Sequence, residues 1–403
     1  MNSPTLLAAD ARAERLPLAA LLALAMTGFI CIVTETLPAG LLPQISQGLG
    51  VSASLAGQTV TAYALGSVLA AIPLTIATRG WRRRNVLLVT IIGFLVFNSM
   101  TALSSNYWLT LAARFFAGVA AGLAWSLLAG YARRMVLPHQ QGRAMAIAMV
   151  GTPIALSLGV PLGTWLGGAV GWRSAFGVMS GLTLLLIVWV LVKVPDYPGQ
   201  AGRERMALRK VLTTPGVRPV LATVMAWMLA HNILYTYVAP FVAQAGLLDR
   251  VDVVLLVFGA AALVGIAITG RLVERHLRST VLASLATFFI VSLLFVWLAT
   301  VPAAVYAGVA IWGLTFGGAA TLLQTALADT AGNGADVALS MNVVAWNSVI
   351  AGGGVLGGIL LDRWGAQTFP WALTVLLAVG FVIAQSARTH GFRPGPRTHA
   401  AGH

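Results

Sequence analysis

The stretch LAALLALAMTGFICIVTETLPAGLL, residues 18–42, decides the fold of this 403-residue chain. A helix that crosses a membrane needs about 20 predominantly apolar residues, and this run is long enough to supply them. Its one acidic side chain is Glu35. A carboxylate at that depth is costly unless it has a partner, a proton or a water-filled cavity, so Glu35 is the first candidate functional residue.

The composition of the whole chain extends this prediction. Charged residues make up 9% of the chain, apolar residues 58%, and the mean hydropathy is +0.87, whereas a soluble domain is about a quarter charged. The net charge of +14 would favour nucleic acid as a partner of a soluble chain. Here the basic residues cluster between apolar runs, which is typical of polytopic membrane proteins, so no nucleic-acid partner is expected. A single cysteine, Cys31, excludes a disulfide framework and a thiol metal cluster.

About twelve apolar segments of membrane length follow one another along the chain. They lie at approximately 17–43, 55–77, 85–104, 107–131, 143–168, 174–194, 217–242, 252–270, 280–300, 303–327, 338–360 and 369–387. Most Arg and Lys residues fall in alternate connections, and only Arg173, Arg250 and Arg363 fall on the other side. The positive-inside rule therefore places both termini in the cytoplasm.

The widest polar gap, Pro195 to Pro219, divides the segments into two groups of six. The expected organisation is a cytoplasmic tail (1–16), a six-helix bundle (17–194), a cytoplasmic linker (195–216), a second six-helix bundle (217–387) and a cytoplasmic tail (388–403). A weak internal repeat supports the division, because residues 143–176 run in step with residues 336–369 at an offset of about 193.

Four stretches of the chain resemble the major facilitator superfamily and, within it, the twelve-helix drug and sugar efflux proton antiporters of bacteria. They are TETLPAGLLPQISQGLGVS with AGQTVTAYALG (34–52 and 56–66), RFFAGVAAG (114–122), ALSLGVPLGTWLG with GWRSAF (155–167 and 171–176), and GRLVERHLR (270–278). The resemblance implies an all-α membrane fold of two six-helix bundles related by a pseudo-two-fold axis, in the bacterial inner membrane. It also implies export of sugars, purine nucleosides or drugs, and does not choose among them.

The third stretch corresponds to the antiporter motif of that family, through Gly159, Pro161 and Gly163. Small residues allow helix backbones to approach closely, and Pro161 removes a hydrogen bond within the helix and bends it. The alternative is plain tight packing, since small residues at this spacing are common in membrane helices. Both interpretations suit an interface between two rocking bundles.

Two basic loops correspond to the gate motif of the same family. The first contains Arg79 and Arg83 and lacks the acidic residue that the family pattern has there. The second is better formed, with Glu274 beside Arg275 and Arg278. An acid beside basic groups at helix ends could hold the cytoplasmic side shut. For residues 79–84 a loop that only sets topology is an equally good interpretation.

Arg114 is the second charge embedded in an apolar run. At about 1.5 Å per residue, Glu35 and Arg114 both lie about 10–15 Å from the outer surface, and the resemblance implies that their helices are neighbours. We hypothesise that Glu35 exchanges a proton for substrate, ionised near Arg114 in one state and protonated in the other. The alternatives are a permanent ion pair, or an Arg114 that bonds main-chain carbonyls.

Polar and aromatic residues in the second half are candidates for substrate binding, because such groups at mid-membrane usually face protein or a cavity. They are His231, Asn232, Tyr235, Gln324, Trp346 and Asn347. The alternative for each is a hydrogen bond between helices.

No phosphate loop, histidine cluster or pair of acids in one membrane helix supports an enzyme, a metal or a cofactor. We therefore expect a monomeric exporter driven by protons, whose partners are a small-molecule substrate and the lipid bilayer. Two alternatives remain open. One is an uptake transporter or uniporter in which Glu35 is structural, and the other is a membrane receptor or scaffold that does not transport.

Overall fold

The computed structural model describes residues 16–199 and 208–395. Nearly all of the expected amino-terminal tail, the middle of the expected linker and the end of the expected carboxyl-terminal tail lie outside the described residues. Five arginines that the topology prediction used lie there too: Arg12, Arg15, Arg203, Arg205 and Arg397.

The described residues form an all-helical fold with eleven apolar helices of membrane length, one of which crosses twice. In chain order the crossings are α1 (Leu18–Gly40), α2 (Ala53–Ala77), α3 (Arg83–Leu103), α4 (Tyr107–Arg134), α5 (Pro138–Val170), α6 (Trp172–Lys193), α7 (Val217–Thr236), α8 (251–275), α9 (277–298), α10 (Pro302–Gly334), α11 (Ala335–Trp364) and α12 (Phe369–Ser386). The prediction of an all-α membrane protein with twelve crossings is confirmed. We call the end of the bundle that carries the arginine-rich connections the basic end.

The helices α8 and α9 are two arms that meet at one non-helical residue, His276, where φ is −133° and ψ is 30° and the chain bends back. The rings of Phe258 and Phe288 both contact the ring of Trp312, with centroids 4.5 and 5.9 Å away. Residues 30 apart in a straight helix would be about 45 Å apart. The two arms are therefore packed side by side. The connection lies between the two segments as the sequence predicted, but it is shorter than 270–280, because one residue makes the turn.

The fifth crossing is an interrupted helix. It consists of a 3₁₀ turn, two α-helical pieces, a π-helical turn at Ala155–Gly159 and a final α-helix at Val160–Val170. A π turn inside an α-helix is rare and commonly marks a functional position. This one coincides with the first half of the predicted antiporter motif, just before Pro161.

Glycines bring neighbouring helix backbones into direct contact in both halves of the chain. On α4, a Cβ at Gly118 would lie 2.7 Å from the carbonyl carbon of Tyr63 on α2. On α10, a Cβ at Gly313 would lie 3.0 Å from the carbonyl carbon of Phe258 on α8. Such distances leave no space for a side chain. The pairs α2–α4 and α8–α10 are therefore close helix pairs of the kind that small residues permit in membranes.

The two halves of the chain meet along α2 with α11 and along α5 with α8. Val60 and Ala64 of α2 pack against Ile350 and Ala351 of α11. Val60 lies towards the end of α2 that is remote from the basic end, and the other three residues lie near the middle of their helices. Beyond them, the Tyr237 hydroxyl contacts the carbonyl oxygens of Ser54 on α2 and Gly354 on α11. The bundle is therefore closed at the end opposite the arginine-rich connections.

Candidate functional site

Arg114 is fully buried between α1, α2 and α4. Its Nε donates a hydrogen bond of 3.3 Å to the carbonyl oxygen of Thr59, and its Nη2 donates one of 3.3 Å to the carbonyl oxygen of Glu35. The guanidinium also lies over the rings of Tyr63 and Phe176, at 4.9 and 5.6 Å from their centroids. Arg114 thus joins the main chains of α1 and α2 and is surrounded by aromatic faces, which stabilise a buried cation.

Glu35 is buried, with 6% of its surface exposed. Glu35 and Arg114 are both among the described residues, and in this conformation they are joined through the Glu35 main-chain carbonyl and form no ion pair through the carboxylate. The carboxylate lies within electrostatic reach of Arg114, Tyr63 and Tyr235. The arrangement corresponds to the alternative in which Arg114 bonds main-chain carbonyls, with its charge close to the acid.

Five aromatic rings pack together on the second-half side of Glu35, and we call them the aromatic cluster: His231, Tyr235, Phe258, Trp312 and Phe316. The His231 ring stacks on the Phe316 ring, with centroids 3.5 Å apart and planes at 6°. Centroid distances of 5.2 Å to Tyr235 and 5.3 Å to Trp312 surround the histidine with π faces. Three helices, α7, α8 and α10, contribute to the cluster.

Two polar atoms of the aromatic cluster, His231 Nδ1 and Trp312 Nε1, are buried without a hydrogen-bond partner. The exposed fractions of these two residues are 6% and 0%. The third polar group of the cluster, the Tyr235 hydroxyl, lies beside the Thr36 side chain of α1. Most buried polar atoms in folded proteins are paired, and an unpaired one costs about 1–3 kcal/mol, so the cluster is a candidate place for a polar ligand.

The remaining predicted substrate residues lie elsewhere. The amide of Asn232 donates a 2.7 Å hydrogen bond to Met228 O, and the amide of Asn347 donates one of 3.0 Å to Val343 O, both within their own helices. Gln324 is exposed on α10, and Trp346 packs beside the α2–α11 contact. Of the six predicted residues, only His231 and Tyr235 belong to the aromatic cluster.

Sequence reasoning missed Phe258, Trp312 and Phe316. Trp312 and Phe316 are four residues apart on one helical face, which could have indicated a shared site. Such spacing is equally typical of ordinary core packing. Phe258 gave no signal, because it is one aromatic residue in a long apolar run.

The predicted antiporter motif lies where α5 contacts both α1 and α8. A Cβ at Gly159 would meet Phe29 and Val33 of α1, and a Cβ at Gly163 would lie 2.7 Å from Leu37 Cδ1. On the other face, Gly259 of α8 lies directly against the π turn, where a Cβ would be 2.7 Å from Leu156 O. The motif is therefore a close contact between the halves of the chain.

The predicted gate loop at residues 79–84 finds its acidic partner far along the chain. The carboxylate of Asp196 accepts a hydrogen bond from Arg82 Nε and, at 3.1 Å, one from the main-chain N–H of Arg84 at the start of α3. Arg83 donates to the main-chain carbonyls of Thr78 and Arg79. Burial raises the pKa of Asp196, but these hydrogen bonds and the arginine charges outweigh it and hold the pKa below the usual value.

Residues 195–199, which we call the linker anchor, are fastened to the first half by further contacts. The hydroxyl of Tyr131 donates a 2.7 Å hydrogen bond to Pro195 O, and Arg134 Nη1 donates one of 3.1 Å to Pro198 O. Tyr197 packs edge-on against Tyr131, with centroids 5.7 Å apart. The chain therefore leaves the first half from a fixed point at the basic end.

The second predicted gate loop is helical and contains the turn at His276. Arg278 donates hydrogen bonds of 2.9 Å to Ala384 O and 3.0 Å to Phe392 O. The side chain of Arg275 is exposed. Glu274 interacts with another group of the protein. Arg278 thus connects the start of α9 to the end of α12.

Comparisons with known proteins agree with the fold. A family model described as Major Facilitator Superfamily matches residues 24–353. A purine ribonucleoside efflux pump of Shigella sonnei is 29% identical over 358 residues, which cover 86% of this chain and 89% of the relative. A purine ribonucleoside efflux pump of Escherichia coli is 29% identical over 366 residues, covering 89% and 91%. The transcription regulatory protein OpdE of Pseudomonas aeruginosa is 29% identical over 377 residues, covering 91% and 93%.

Proposed function

The chain belongs to the Major Facilitator Superfamily, and from that membership we propose a proton-coupled exporter of small molecules that works by alternating access. The family and the efflux-pump relatives make the protein a membrane transporter rather than an enzyme. The proposed substrates are drugs, sugars or nucleosides. In the proposed setting the protein lies in the bacterial inner membrane as a monomer, with both termini and the basic end in the cytoplasm.

One observation supports proton coupling above the others. Glu35 is buried in a membrane-spanning helix without an ion-pair partner among the described residues, and it lies close to Tyr235 of the aromatic cluster. A carboxylate in such a place is expensive when charged, so its protonation depends on which side of the membrane supplies water. The same group can therefore sense the proton concentration and the occupant of the neighbouring cluster.

Glu35 and Tyr235 also lie at similar depths along their helices. Glu35 lies about 25 Å from the basic end of α1, and Tyr235 lies about 27 Å from the basic end of α7. The two side chains belong to opposite halves of the chain and lie at about the same depth in the membrane. A substrate held between them would contact both halves, as alternating access requires. Arg114 positions α1 and supplies a positive charge that favours the ionised state of Glu35 when water reaches it.

The remaining predicted residues have proposed roles in the movement. The close contact at Gly159, Pro161 and Gly163 is proposed to be the interface on which the halves rock. Arg79, Arg83, Glu274, Arg275 and Arg278 are proposed to stabilise the basic end in its closed state.

The test is exchange in proteoliposomes. Purified protein is reconstituted, an outward proton gradient is imposed, and uptake of labelled nucleosides, sugars and drugs is measured together with internal pH. We expect Glu35→Gln to abolish substrate-induced proton movement. Asp249→Asn is the matched control, because Asp249 is an exposed carboxylate at the end opposite the basic loops. Proton movement that survives in Glu35→Gln would contradict the proposal.

Two alternatives have their own outcomes in the same assay. Substrate flux that equilibrates without proton movement in both the unmodified protein and Glu35→Gln indicates a uniporter with a structural Glu35. Substrate flux that stays at background for every compound tested favours a receptor or scaffold that does not transport. This alternative is retained because one similar protein is named a transcription regulatory protein.

A further inference from the structure

An apolar groove lies between α11 and α12, at the end of the bundle opposite the basic loops. It has a volume of about 610 Å³, and the residues that line it include Leu356, Leu360, Trp364, Trp371 and Val375. The two tryptophan side chains are 55% and 54% exposed. Because both helices are apolar and of membrane length, the groove opens to lipid.

The length of the groove matches one leaflet of a bilayer. Leu356 and Trp364 are eight residues apart on α11, which is about 12 Å along the helix axis. Half of the hydrocarbon core of a bilayer is about 15 Å thick. Trp364 is the last residue of α11, and tryptophans are enriched at the level of the lipid head groups. The groove therefore begins at the membrane surface and ends near the membrane centre, as one acyl chain does.

A positive charge stands at the mouth of this groove. Arg363 follows Leu356 by seven residues, close to two helical turns, so the two side chains project from the same face of α11. Arg363 is exposed, and no hydrogen bond or ion pair between described residues includes it. Basic residues are few at this end of the chain. An unbonded guanidinium just above an apolar groove fits an anionic group attached to an apolar chain.

We propose that the groove between α11 and α12 binds a phospholipid of the leaflet at that end, with its phosphate on Arg363 and one acyl chain between the helices. Guanidinium and phosphate form charge-assisted hydrogen bonds that are frequently bidentate. Leu356 and Leu360 contact the chain, and Trp364 and Trp371 cover it at the head-group level. This binding site goes beyond the proposed function and does not depend on which molecule is transported.

A second apolar groove at the same end provides an internal reference. It lies between α3 and α4, has a volume of about 460 Å³, and is lined by residues that include Val96, Leu103 and Ser104. The arginine beside it is already bonded, since Arg173 Nη2 donates a 2.9 Å hydrogen bond to Ser104 O. A phospholipid in this groove would find apolar surface without a free guanidinium. We therefore expect it to bind there more weakly.

Photolabelling in detergent tests the proposal. Protein purified in a maltoside, which carries no phosphate, is titrated with phosphatidylglycerol that has a diazirine in one acyl chain. After irradiation and proteolysis, mass spectrometry quantifies the label on each peptide. Peptides of α11 and α12 should reach half-saturation at a probe concentration about tenfold lower than peptides of α3 and α4, because a charge-assisted hydrogen bond is added to packing. Equal labelling of the two grooves would overturn the proposal.

Competition shows which part of the lipid is recognised. Excess unlabelled phosphatidylglycerol should remove the label from α11 and α12, whereas diacylglycerol and glycerol 3-phosphate should not. Competition by diacylglycerol as strong as that by phosphatidylglycerol would reduce the site to an apolar surface. Competition by glycerol 3-phosphate would make it a site for a free phosphate group. Either result refutes a phospholipid site.

Variants separate the charge from the groove. Arg363→Gln should weaken the labelling of α11 and α12 about tenfold, and Arg363→Lys should retain most of it, because lysine keeps the charge. Arg250→Gln is the matched control, since Arg250 is an exposed arginine at the same end that does not line the groove. Ala372→Leu should also weaken the labelling, because the larger side chain fills part of the groove. Labelling that is unchanged in Arg363→Gln, or reduced equally in Arg250→Gln, would contradict the proposal.

Discussion

The hydroxyl of Tyr237 donates a hydrogen bond of 2.7 Å to the carbonyl oxygen of Gly354 and lies 3.3 Å from the carbonyl oxygen of Ser54. Gly354 is on α11 and Ser54 is on α2, so one fully buried oxygen atom links the two halves. Gln58 Nε2 lies 3.4 Å from the same hydroxyl and donates to Gly354 O at 3.2 Å. This group of hydrogen bonds holds the bundle closed at the end opposite the basic loops.

Tyr237→Phe removes these hydrogen bonds and keeps the ring that fills the space beside Gly57 and Gly357. A buried hydrogen bond contributes about 0.5–1.5 kcal/mol, and the carbonyl groups left behind regain water when the closed end opens. We therefore expect the population to shift several-fold towards a state that is open at this end. Spin labels can be placed at Leu55 and Ile359, which are both partly exposed near the contact. The distance between the two labels, measured by double electron–electron resonance, should be longer in Tyr237→Phe than in the unmodified protein.

Cys31 is fully buried and need not be replaced for that experiment. The control is Tyr306→Phe on α10, a partly buried tyrosine remote from the α2–α11 contact. An unchanged label distance in Tyr237→Phe would mean that apolar packing alone closes this end.

The helices were predictable because bilayer thickness imposes a length on every apolar run, and the basic clusters separate the runs. The turn at His276 was not predictable in the same way. Residues 271–279 are mostly polar, as a connection should be, yet they contain no Gly or Pro, and all but His276 are helical. Local composition accounts for the polarity of this segment, but its contacts are tertiary, since Arg278 donates hydrogen bonds to Ala384 O and Phe392 O, more than 100 residues away.

The candidate site was predictable where the chemistry was unusual for its surroundings. Glu35 and Arg114 are charged residues within apolar runs, so the sequence alone identifies them as candidates. Asp196 was not paired with Arg82 from sequence, since 114 residues separate them and only the fold brings them together. Trp312 was missed because a buried tryptophan looks the same in sequence whether its N–H is paired or free.

Gly259 offers a test of the contact between α5 and α8. Gly259→Ala would place a Cβ against the main chain of Ser157 and 2.7 Å from Leu156 O, so the two helices must separate. We expect this variant to favour the state that is open at the end opposite the basic loops and to slow exchange by about tenfold or more. Gly270→Ala is the matched control on the same helix, because nothing lies within 4 Å of its added Cβ.

Exchange rates and the label distance measure the effect. Normal exchange in Gly259→Ala would show that the contact is passive packing and does not move during transport. An equal loss of exchange in Gly270→Ala would show that the effect comes from replacing a helical glycine in α8, and not from the contact between α5 and α8.

Crowding the close contact between α2 and α4 should lower the stability of the fold without shifting the bundle between its open and closed states. Both helices belong to the same half, so crowding at Gly118 should act on folding and not on the opening of the bundle. Gly118→Ala places a Cβ 2.7 Å from the carbonyl carbon of Tyr63, and overpacking of this kind costs about 1–3 kcal/mol. The thermal midpoint in detergent should fall in Gly118→Ala, while Gly130→Ala, on the same helix with open space around it, should leave it unchanged.

The linker anchor predicts a dependence on pH. Ionised Asp196 accepts hydrogen bonds from Arg82 and from the N–H of Arg84, which keep its pKa below the value of about 3.9 of an unfolded chain. Its stabilising contribution is therefore complete above that value and is lost as pH falls through the lowered pKa. Asp196→Asn should lower the thermal midpoint by about 1–3 °C at pH 7, since partly solvated charge pairs are weak. The difference from the unmodified protein should stay constant down to about pH 5, shrink as the pH falls further, and vanish only below the lowered pKa. A difference that does not shrink with pH, down to the lowest pH at which the protein stays folded, would show that the shape of the side chain, and not its charge, holds the anchor.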